Sequence, residues 1–188
     1  MKIDESFHRS WQAQPLSTRP LILPRQHFTY PTIAEEVERG ALEVMVTPRN
    51  SEAFLATCAL GFKDEAAPSG IWSTPHPDWL CALSGGYAYL INAENPGQFT
   101  MIELRPVLAV FAATYSELDS GLLLFVGHRR IVAWGREGIQ WTSENLSDEG
   151  IHVGRIEDSV LCGRGWEMRT DHEYEFDLDL KTGKMTRK

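Results

Sequence analysis

The stretch that decides the fold covers residues 122–141, LLLFVGHRRIVAWGREGIQW. Its first five residues, 122–126, are apolar without interruption, which is typical of a strand buried on both faces. β-Branched and aromatic side chains, which favour strands, return at residues 130–134. Gly127-His128 lies between the two runs and predicts a two-residue hairpin loop, because glycine adopts positive φ without steric cost.

The second half of this stretch predicts another turn. Gly135 and Gly138 bracket it, and Ile139-Gln140-Trp141 then alternates between apolar and polar side chains. Alternation with a period of two is the pattern of a half-buried strand. Residues 122–141 therefore predict two consecutive hairpins of an antiparallel sheet.

Strand-like patterns cover most of the remaining chain. They are separated by turn sequences such as Gly85-Gly86 and Asn95-Pro96-Gly97. Residues 63–78 contain three prolines and predict a long irregular loop. Residues 107–113 are apolar and fit a buried strand, although a helix also fits so short a run. The predicted strands are residues 42–47, 54–62, 79–84, 87–92, 99–104, 107–113, 151–156, 159–163 and 171–180.

One short helix is expected near the N-terminus, over residues 32–40. Thr32 and Glu35 form a capping box, and Gly40 can end the helix in a left-handed conformation. The predicted fold is therefore mainly β, with antiparallel hairpins in a two-sheet sandwich or a partial propeller-like stack and one short N-terminal helix.

The predicted domain organisation is an extended N-terminal arm, residues 1–31, followed by a single mainly β domain, residues 32–188. The arm contains four prolines, and proline is confined to edges and irregular segments of β structure. Its apolar residues, Trp11 and the run 21–23, predict that the arm is docked on the protein.

Composition excludes several classes of protein. The chain has 188 residues, of which 43% are hydrophobic and 23% charged, so it is globular rather than disordered. The formal net charge of −8 disfavours nucleic-acid binding, which needs clustered Lys and Arg. No apolar run approaches the ~20 residues of a membrane span, and no membrane partner is expected.

Cysteine usage indicates the compartment. Cys58, Cys81 and Cys162 lie in apolar runs without CxxC spacing, which predicts three buried thiols rather than a disulfide framework. The N-terminal residues lack the apolar segment of a secretory signal. Together these features predict a reducing compartment, the cytoplasm.

Two segments of the chain share a sequence pattern that resembles a known architecture. WLCALSGGYAYLI at residues 79–91 and LLLFVGHRRIVAW at 122–134 share the order apolar strand, glycine turn, aromatic-rich strand, and Gly85 and Gly127 are 42 positions apart. This is near the period of a propeller blade, and EFDLDLKTGKM at 175–185 resembles the outer strand and turn of such blades. The C-terminal half thus resembles β-propeller hairpins, which implies a stack of blade-like sheets. The whole chain is also similar to a family of bacterial proteins, a resemblance that implies no activity.

The last predicted strand contains the sharpest charge pattern. Carboxylates and apolar or aromatic side chains alternate over residues 171–180, so the carboxylates line one face of the strand. This face is either a solvated surface that discourages aggregation or a docking strip for a basic protein partner. One straight strand cannot surround a cation, because its carboxylates are ~7 Å apart. The five carboxylates are Asp171, Glu173, Glu175, Asp177 and Asp179, of which Glu173, Glu175 and Asp177 are the candidate binding residues.

The loop around residue 76 offers two further candidates. Trp72 and Trp79 are either packing residues or one side of an aromatic groove for a small ligand such as a sugar or peptide. His76 and Asp78 are an ordinary hydrogen-bonding pair or, in a hydrolase, an oriented base. Neither HxH nor HxxxH spacing occurs, so no metal site is predicted. The sequence contains no phosphate-binding or dinucleotide motif, and no cofactor is predicted.

Three functions remain open on this evidence. The first is a non-enzymatic binding or protein-interaction module that uses the acidic strand face or an aromatic groove. The second is a hydrolase with its site in the loop at residues 69–79. The third is a homo-oligomer built by strand pairing between copies.

Overall fold

A computed structural model describes residues 2–32, 39–63, 66–114 and 121–188. Within these ranges the chain is nearly all β, with 17 strands in four mostly antiparallel sheets, which confirms the predicted fold class. Most of the predicted helix, residues 33–38, lies outside the described residues. The strands are β1 (Lys2–Asp4), β2 (Trp11–Leu16), β3 (His27–Tyr30), β4 (Ala41–Pro48), β5 (Phe54–Ala59), β6 (Gly70–Ser73), β7 (Trp79–Ser84), β8 (Tyr87–Asn92), β9 (Phe99–Met101), β10 (Ala109–Ala113), β11 (Leu122–Val126), β12 (Ile131–Gly135), β13 (Gly138–Thr142), β14 (Ile151–Glu157), β15 (Val160–Glu167), β16 (His172–Asp179) and β17 (Met185–Arg187).

The chain divides into two compact units, and the first is Met1–Pro106. It holds two sheets, with strand orders β1-β6-β7-β8-β9 and β2-β4-β5-β3. Alternate residues of β4, such as Val44 and Val46, pack against Leu80 and Tyr89 of the other sheet, and all four are fully buried. The unit is therefore a two-sheet sandwich, as the period-two pattern from residue 42 predicts.

The second unit, Val107–Lys188, is a sandwich of two four-stranded antiparallel sheets. Their orders are β10-β11-β12-β13 and β14-β15-β16-β17, so both are meanders. Leu124 and Ala133 of the first sheet share a buried core with Phe176 and Leu178 of the second. All four side chains are fully buried.

The hairpin at residue 127 differs in its loop from the prediction. All five residues of β11 are buried, as their apolar run predicts. However, Val126 pairs with Ile131, and Gly127 N–H donates to Arg130 O at 3.0 Å, so the loop has four residues. The prediction of a two-residue Gly127-His128 loop was wrong, and Gly127 is not among the described glycines with positive φ.

The other glycine turns agree with the sequence. Gly135 pairs with Gly138, which has φ of 115°, and only two residues lie between them. Gly85 and Gly86 have φ of 53° and 76° and join β7 to β8, where Ser84 pairs with Tyr87. Successive positive φ values suit the twist of a tight hairpin, and glycine supplies them without a Cβ clash.

The loop predicted over residues 63–78 contains a strand that the sequence analysis missed. β6 lies between β1 and β7 in its sheet and is buried along its whole length. Its four residues, GIWS, are too few to show a period of two, and prolines lie close on both sides. A short buried strand is therefore indistinguishable from a loop in the sequence alone.

The N-terminal arm is only partly docked. Residues 1–31 contribute β1 to one sheet and β2 and β3 to the other, and Trp11 is buried. Leu21 and Ile22 are in contrast almost completely exposed, at 104% and 88%, so the expectation that they dock the arm was wrong. The predicted domain organisation, an arm over residues 1–31 and one domain over residues 32–188, concerns folding cooperativity and stays a prediction.

Three sheets contain the same local motif. β6–β9, β10–β13 and β14–β17 each form a run of four strands in which neighbours along the chain are also neighbours in the sheet. The second strands of the three runs begin at Trp79, Leu122 and Val160. These positions are about 40 residues apart, close to the spacing of propeller blades.

Candidate ligand-binding face of the C-terminal sheet

Strand β16 alternates as predicted. Phe176 and Leu178 are fully buried in the core of the second unit, whereas Glu173 and Glu175 point outward and are exposed. The register places Arg164 opposite Glu175, Cys162 opposite Asp177, and His152 of β14 opposite Arg164. Paired residues in neighbouring strands lie on the same side of a sheet. We call the resulting surface the charged face; its residues are His152, Arg155, Cys162, Arg164, Glu173, Glu175, Asp177, Asp179 and Lys188.

The five carboxylates of the predicted strip have different roles. Glu173 pairs with Arg164 at 3.1 Å, and Asp177 pairs with Lys188 at 2.8 Å. Asp179 caps the following turn, where its Oδ1 accepts the N–H groups of residues 181 and 182 at 2.7 and 3.0 Å. Asp171 lies in the preceding turn with φ of 55°. The strip is thus partly neutralised by cations from its own sheet.

Glu175 differs from its neighbours on β16. It is exposed at the middle of the strand and forms no ion pair with any of the described residues. Its backbone carbonyl accepts Lys188 N–H at 3.0 Å, which holds the C-terminal segment beside it. Its carboxylate lies near Arg164 and Lys188 without a close ion pair to either, so a cationic group of a ligand can still bind it.

An open depression of about 490 Å³ lies in the middle of the charged face. Arg155, Arg164 and Lys188 border it from three different segments, and Glu175 borders it from β16. Three cations and one carboxylate at one concavity favour a charged ligand over an apolar one. The full lining is His152, Val153, Gly154, Arg155, Cys162, Gly163, Arg164, Glu175, Phe176 and Lys188.

A β-bulge shapes this depression. The pairing of β14 with β15 shifts register between Val153 and Ile156. A bulge leaves residues unpaired and re-aims their side chains, and Gly154 and Arg155 fall within it. A Cβ on Gly154 would lie 3.0 Å from Cys162 O, so the backbones approach closely there. The bulge thus brings the Arg155 guanidinium to the rim of the depression.

The titratable groups of the charged face are coupled. The Cys162 thiol donates to the Asp177 carboxylate, and this hydrogen bond raises the thiol pKa. The pKa of Asp177 is lowered, first by its bond to Lys188 and then by that to Cys162, and the pKa of Lys188 is raised by Asp177. Near neutral pH the ion pair is therefore charged while the thiol keeps its proton, so the arrangement suits charge recognition rather than nucleophilic attack.

Two expectations for the cysteines have different outcomes. Cys58 and Cys81 are fully buried, and burial raises the pKa of both thiols. Cys162 is partly exposed at the depression, so its predicted burial was wrong. All three cysteines are free thiols.

His76 and Asp78 are close in space but do not bond to each other through their side chains. Asp78 N–H donates to His76 Nδ1 at 3.2 Å, and the Asp78 carboxylate accepts Ser10 Oγ–H at 2.5 Å. Because Nδ1 accepts, the proton of the neutral ring is on Nε2, whereas a base oriented by aspartate carries it on Nδ1. These bonds fix the turn and attach the N-terminal arm through Ser10.

The two candidate tryptophans occupy neighbouring strands. Trp72 in β6 pairs with Cys81 and is 3% exposed, which leaves almost none of its ring for a ligand. Trp79 is partly exposed, and its backbone carbonyl accepts Trp11 Nε1–H at 3.3 Å and Thr74 Oγ1–H at 3.0 Å. The surroundings of both residues are those of packing and anchoring positions.

Sequence analysis missed the basic side of the charged face. Arg155, Arg164 and Lys188 are separated along the chain, and no motif links them to the acidic strand. Their convergence depends on the register of β14 with β15 and on strand β17, which was not predicted. The one available signal was the alternation in β15 that places Cys162 and Arg164 on the same face.

Among the described residues, no group of three or more His, Cys, Asp or Glu side chains could hold a metal ion. In the same part of the chain, no helix is long and apolar enough to cross a membrane. Comparison with known proteins gave no match to a protein-family model and none to a curated protein.

Proposed function

We propose that this protein is a non-enzymatic binding module and that the charged face is its ligand-binding surface. The observation that carries the proposal is the open depression of about 490 Å³, where Arg155, Arg164 and Lys188 converge beside Glu175, which forms no ion pair with a described residue. The fitting ligand is a polar segment of a protein partner that presents a basic group to Glu175 and acidic groups to the three cations. A small zwitterionic ligand fits the same pattern.

A ligand that binds the charged face competes with ion pairs within the protein, and these ion pairs are weak. Arg164, Glu173 and Lys188 are about half exposed, and ion pairs between exposed side chains contribute little to stability. A ligand can therefore replace Arg164–Glu173 or Lys188–Asp177 at small cost. Complementary charges also accelerate association, and this contribution falls as salt rises.

Neutralising single charges tests the proposal. The probes are the wild type, Glu175→Gln and Arg164→Gln, each immobilised and presented with an array of charged peptides and with lysate. Glu137→Gln is the matched control, because it removes an exposed carboxylate from the β12–β13 turn. Wild type and control should retain the same ligands, and the two charged-face variants should lose them while remaining folded by circular dichroism.

The outcome that contradicts the proposal is retention of the same ligands by Glu175→Gln and Arg164→Gln. A triple variant, Glu173→Gln with Glu175→Gln and Asp177→Asn, then neutralises all three candidate binding carboxylates of β16. Unchanged binding by this folded variant excludes the acidic strand. If the triple variant still binds and this binding is lost above physiological salt, the contact is electrostatic but lies elsewhere on the molecule.

The hydrolase with its site at residues 69–79 stays a prediction, and the geometry of His76 gives it no support. Turnover of ester, phosphate or glycoside substrates that is abolished by His76→Ala and by Asp78→Asn would establish it. Asp78→Asn needs a stability control, because the Asp78 carboxylate accepts Ser10 Oγ–H.

We also propose that the three four-stranded runs, β6–β9, β10–β13 and β14–β17, are blade-like repeats of the kind that propellers use. Their common order and their spacing of about 40 residues support this interpretation. A cytoplasmic location remains a proposal that rests on three unpaired cysteines, which are typical of reducing compartments.

A further inference from the structure

The loop between β2 and β3 presents an unusual apolar tip. Its sequence over residues 19–25 is RPLILPR, so three aliphatic residues lie between two prolines and two arginines. Leu21 and Ile22 are 104% and 88% exposed, and Leu23 is 37% exposed. Adjacent, fully exposed aliphatic side chains are costly in water and commonly indicate an interaction site.

The base of this loop is anchored, so the tip is held outward. Arg19 Nε lies 3.9 Å from Oε1 of the buried Glu43 in β4. On the other side, Gln26 O accepts Leu55 N–H at 3.1 Å, and Gln26 Nε2 donates to Glu52 at 3.1 Å. Pro20 and Pro24 restrict the backbone between these anchors.

The local charge of the loop is opposite to that of the whole protein. The net charge is −8, yet residues 6–34 contain no Asp or Glu and three Arg. Arg25 is exposed and forms no ion pair with the residues that the structure describes. Two carboxylates, Glu43 and Glu52, lie at the base of the loop, and Glu43 faces Arg19. Exposed charges farther away than about 8–10 Å are largely screened at physiological salt, so a surface that approaches the tip meets mainly Arg25 and the aliphatic side chains.

The charge and the apolar side chains of the tip indicate whether it contacts a second copy of the chain or a lipid surface. Contact between two tips from two copies would place Arg19 and Arg25 against arginines, which is a like-charge contact. A surface of anionic phospholipid headgroups offers phosphates to the arginines and acyl chains to Leu21 and Ile22. The expectation of no membrane partner rested on the lack of a spanning segment, and a surface contact needs no span.

We propose that residues 19–25 form a peripheral contact with lipid surfaces that carry anionic headgroups. Leu21 and Ile22 enter the boundary between headgroups and acyl chains, and Arg25 pairs with lipid phosphates. Arg19 stays beside Glu43 at the base of the loop and adds its charge to the attraction. The contact is reversible, because two aliphatic side chains and two charges give weak anchoring. It involves a segment of the first unit and does not depend on the ligand-binding proposal.

Co-sedimentation with vesicles tests this inference. One set of vesicles is phosphatidylcholine alone, and the other also contains phosphatidylglycerol. The full chain should sediment with the anionic vesicles and remain in solution with the neutral ones. The double variant Leu21→Ser/Ile22→Ser should bind at least about tenfold more weakly, since the transfer free energy of two buried aliphatic side chains exceeds that of a tenfold change in affinity. Arg25→Gln should also weaken binding.

Matched control variants show whether vesicle binding depends on the tip or on any exposed aliphatic side chain or cation. Ile139→Ser removes a half-exposed aliphatic side chain from β13, and Arg136→Gln removes a cation from the neighbouring turn. Both controls should bind as the wild type does. Failure of the wild type to bind anionic vesicles, or equal binding by the folded double variant, overturns the proposal. If the wild type binds no vesicles but forms a dimer, and the double variant is monomeric, the partner of the tip is a second copy of the chain instead of a lipid surface.

Discussion

Gly183 illustrates how a single residue can be constrained in two ways. Its φ is 70°, and a Cβ at this position would lie 2.7 Å from the indole ring of Trp141. The Trp141 Nε1–H donates to Leu180 O at 2.8 Å, and this hydrogen bond opposes a shift of the ring away from residue 183. The K-T-G-K turn after β16 therefore requires glycine both for its backbone conformation and for space.

We predict that Gly183→Ala destabilises the protein more than Gly150→Ala does. Gly150 has φ of 77° but no atom within 4 Å of a built Cβ, so it reports backbone strain alone, about 1–2 kcal/mol. Gly183→Ala should cost about 1–3 kcal/mol more through overpacking against Trp141. Urea denaturation measures both variants, and equal losses would show that Trp141 can yield.

Cys162 differs from the other two cysteines in its accessibility. Only this thiol is accessible in the native state, because Cys58 and Cys81 are completely buried. The Asp177 carboxylate raises the pKa of Cys162 by accepting its S–H. Asp177→Asn should therefore lower this pKa, increase the thiolate fraction, and accelerate alkylation by iodoacetamide at mildly alkaline pH.

The control for this prediction is Glu173→Gln, which removes a carboxylate that pairs with Arg164 instead. It should leave the alkylation rate of Cys162 close to that of the wild type. Native protein should incorporate one label and denatured protein three. Two or more labels in the native state, or no acceleration in Asp177→Asn, would contradict the assigned hydrogen bond.

Strand β17 shows how an element can depend on charges at its end. Arg187 Nη1 and Nη2 lie 3.2 and 3.4 Å from the Glu167 carboxylate, and its guanidinium lies 4.1 Å from the centre of the Tyr174 ring. Lys188 pairs with Asp177. A three-residue edge strand has few backbone bonds, so these contacts hold it against β16.

The pH dependence of this contact follows from Glu167. Its bond to Arg187 lowers the pKa of the carboxyl below the ordinary 4.5. The stabilising contribution is therefore complete above the ordinary pKa and is lost as the pH falls through the lower folded-state pKa. After correction for the intrinsic exchange rate at each pH, the protection of the Thr186 and Arg187 amides should fall in that acidic range, and Glu167→Gln should lower it already at neutral pH.

Glu157→Gln is the control for the contact between Glu167 and Arg187. Glu157 pairs with Arg155 within β14, so its loss should leave exchange in β17 unchanged. Amides of the buried β11 should remain protected in all variants. Uniform acceleration across the molecule would indicate global destabilisation and would contradict a local contact.

The elements also show which parts of the fold the sequence predicts. Long apolar or alternating runs predicted β7, β8, β11 and β16 correctly, because burial acts on a pattern that local sequence contains. The short strands β6 and β17 were missed because three or four residues carry no measurable period. Their existence depends on pairing with distant strands, which is a tertiary effect.

The same distinction applies to the candidate site. Carboxylate alternation along β16 follows from strand geometry and was predicted from residues 171–180. The cations were not predicted, because the β14 bulge and the pairing of β15 with β16 bring Arg155 and Arg164 to the depression. Inter-strand register follows from turn length, and sequence predicts turn length poorly, as the four-residue loop after Val126 shows.

Association of two copies of the whole molecule by strand pairing depends on the open edges of its sheets. Sheets with open edges can pair between chains, and proteins prevent this with proline and charge on edge strands. Edge strand β2 contains Pro15, β14 carries Arg155 and Glu157, and β17 carries Arg187. These residues oppose the strand-paired oligomer that the sequence left open.

We therefore predict that light scattering gives the monomer mass, 21.2 kDa, at low and at high protein concentration. Replacing the charges of the β14 edge, Arg155→Val with Glu157→Val, should raise the mass at high concentration, because an uncharged β-branched edge can accept another strand. The matched control Arg136→Val with Glu137→Val alters a turn instead of an edge and should remain monomeric. If the wild type has twice the monomer mass at both concentrations, edge charges do not prevent association. The dimer interface must then be sought at an uncharged edge, such as β13 with its half-exposed Ile139.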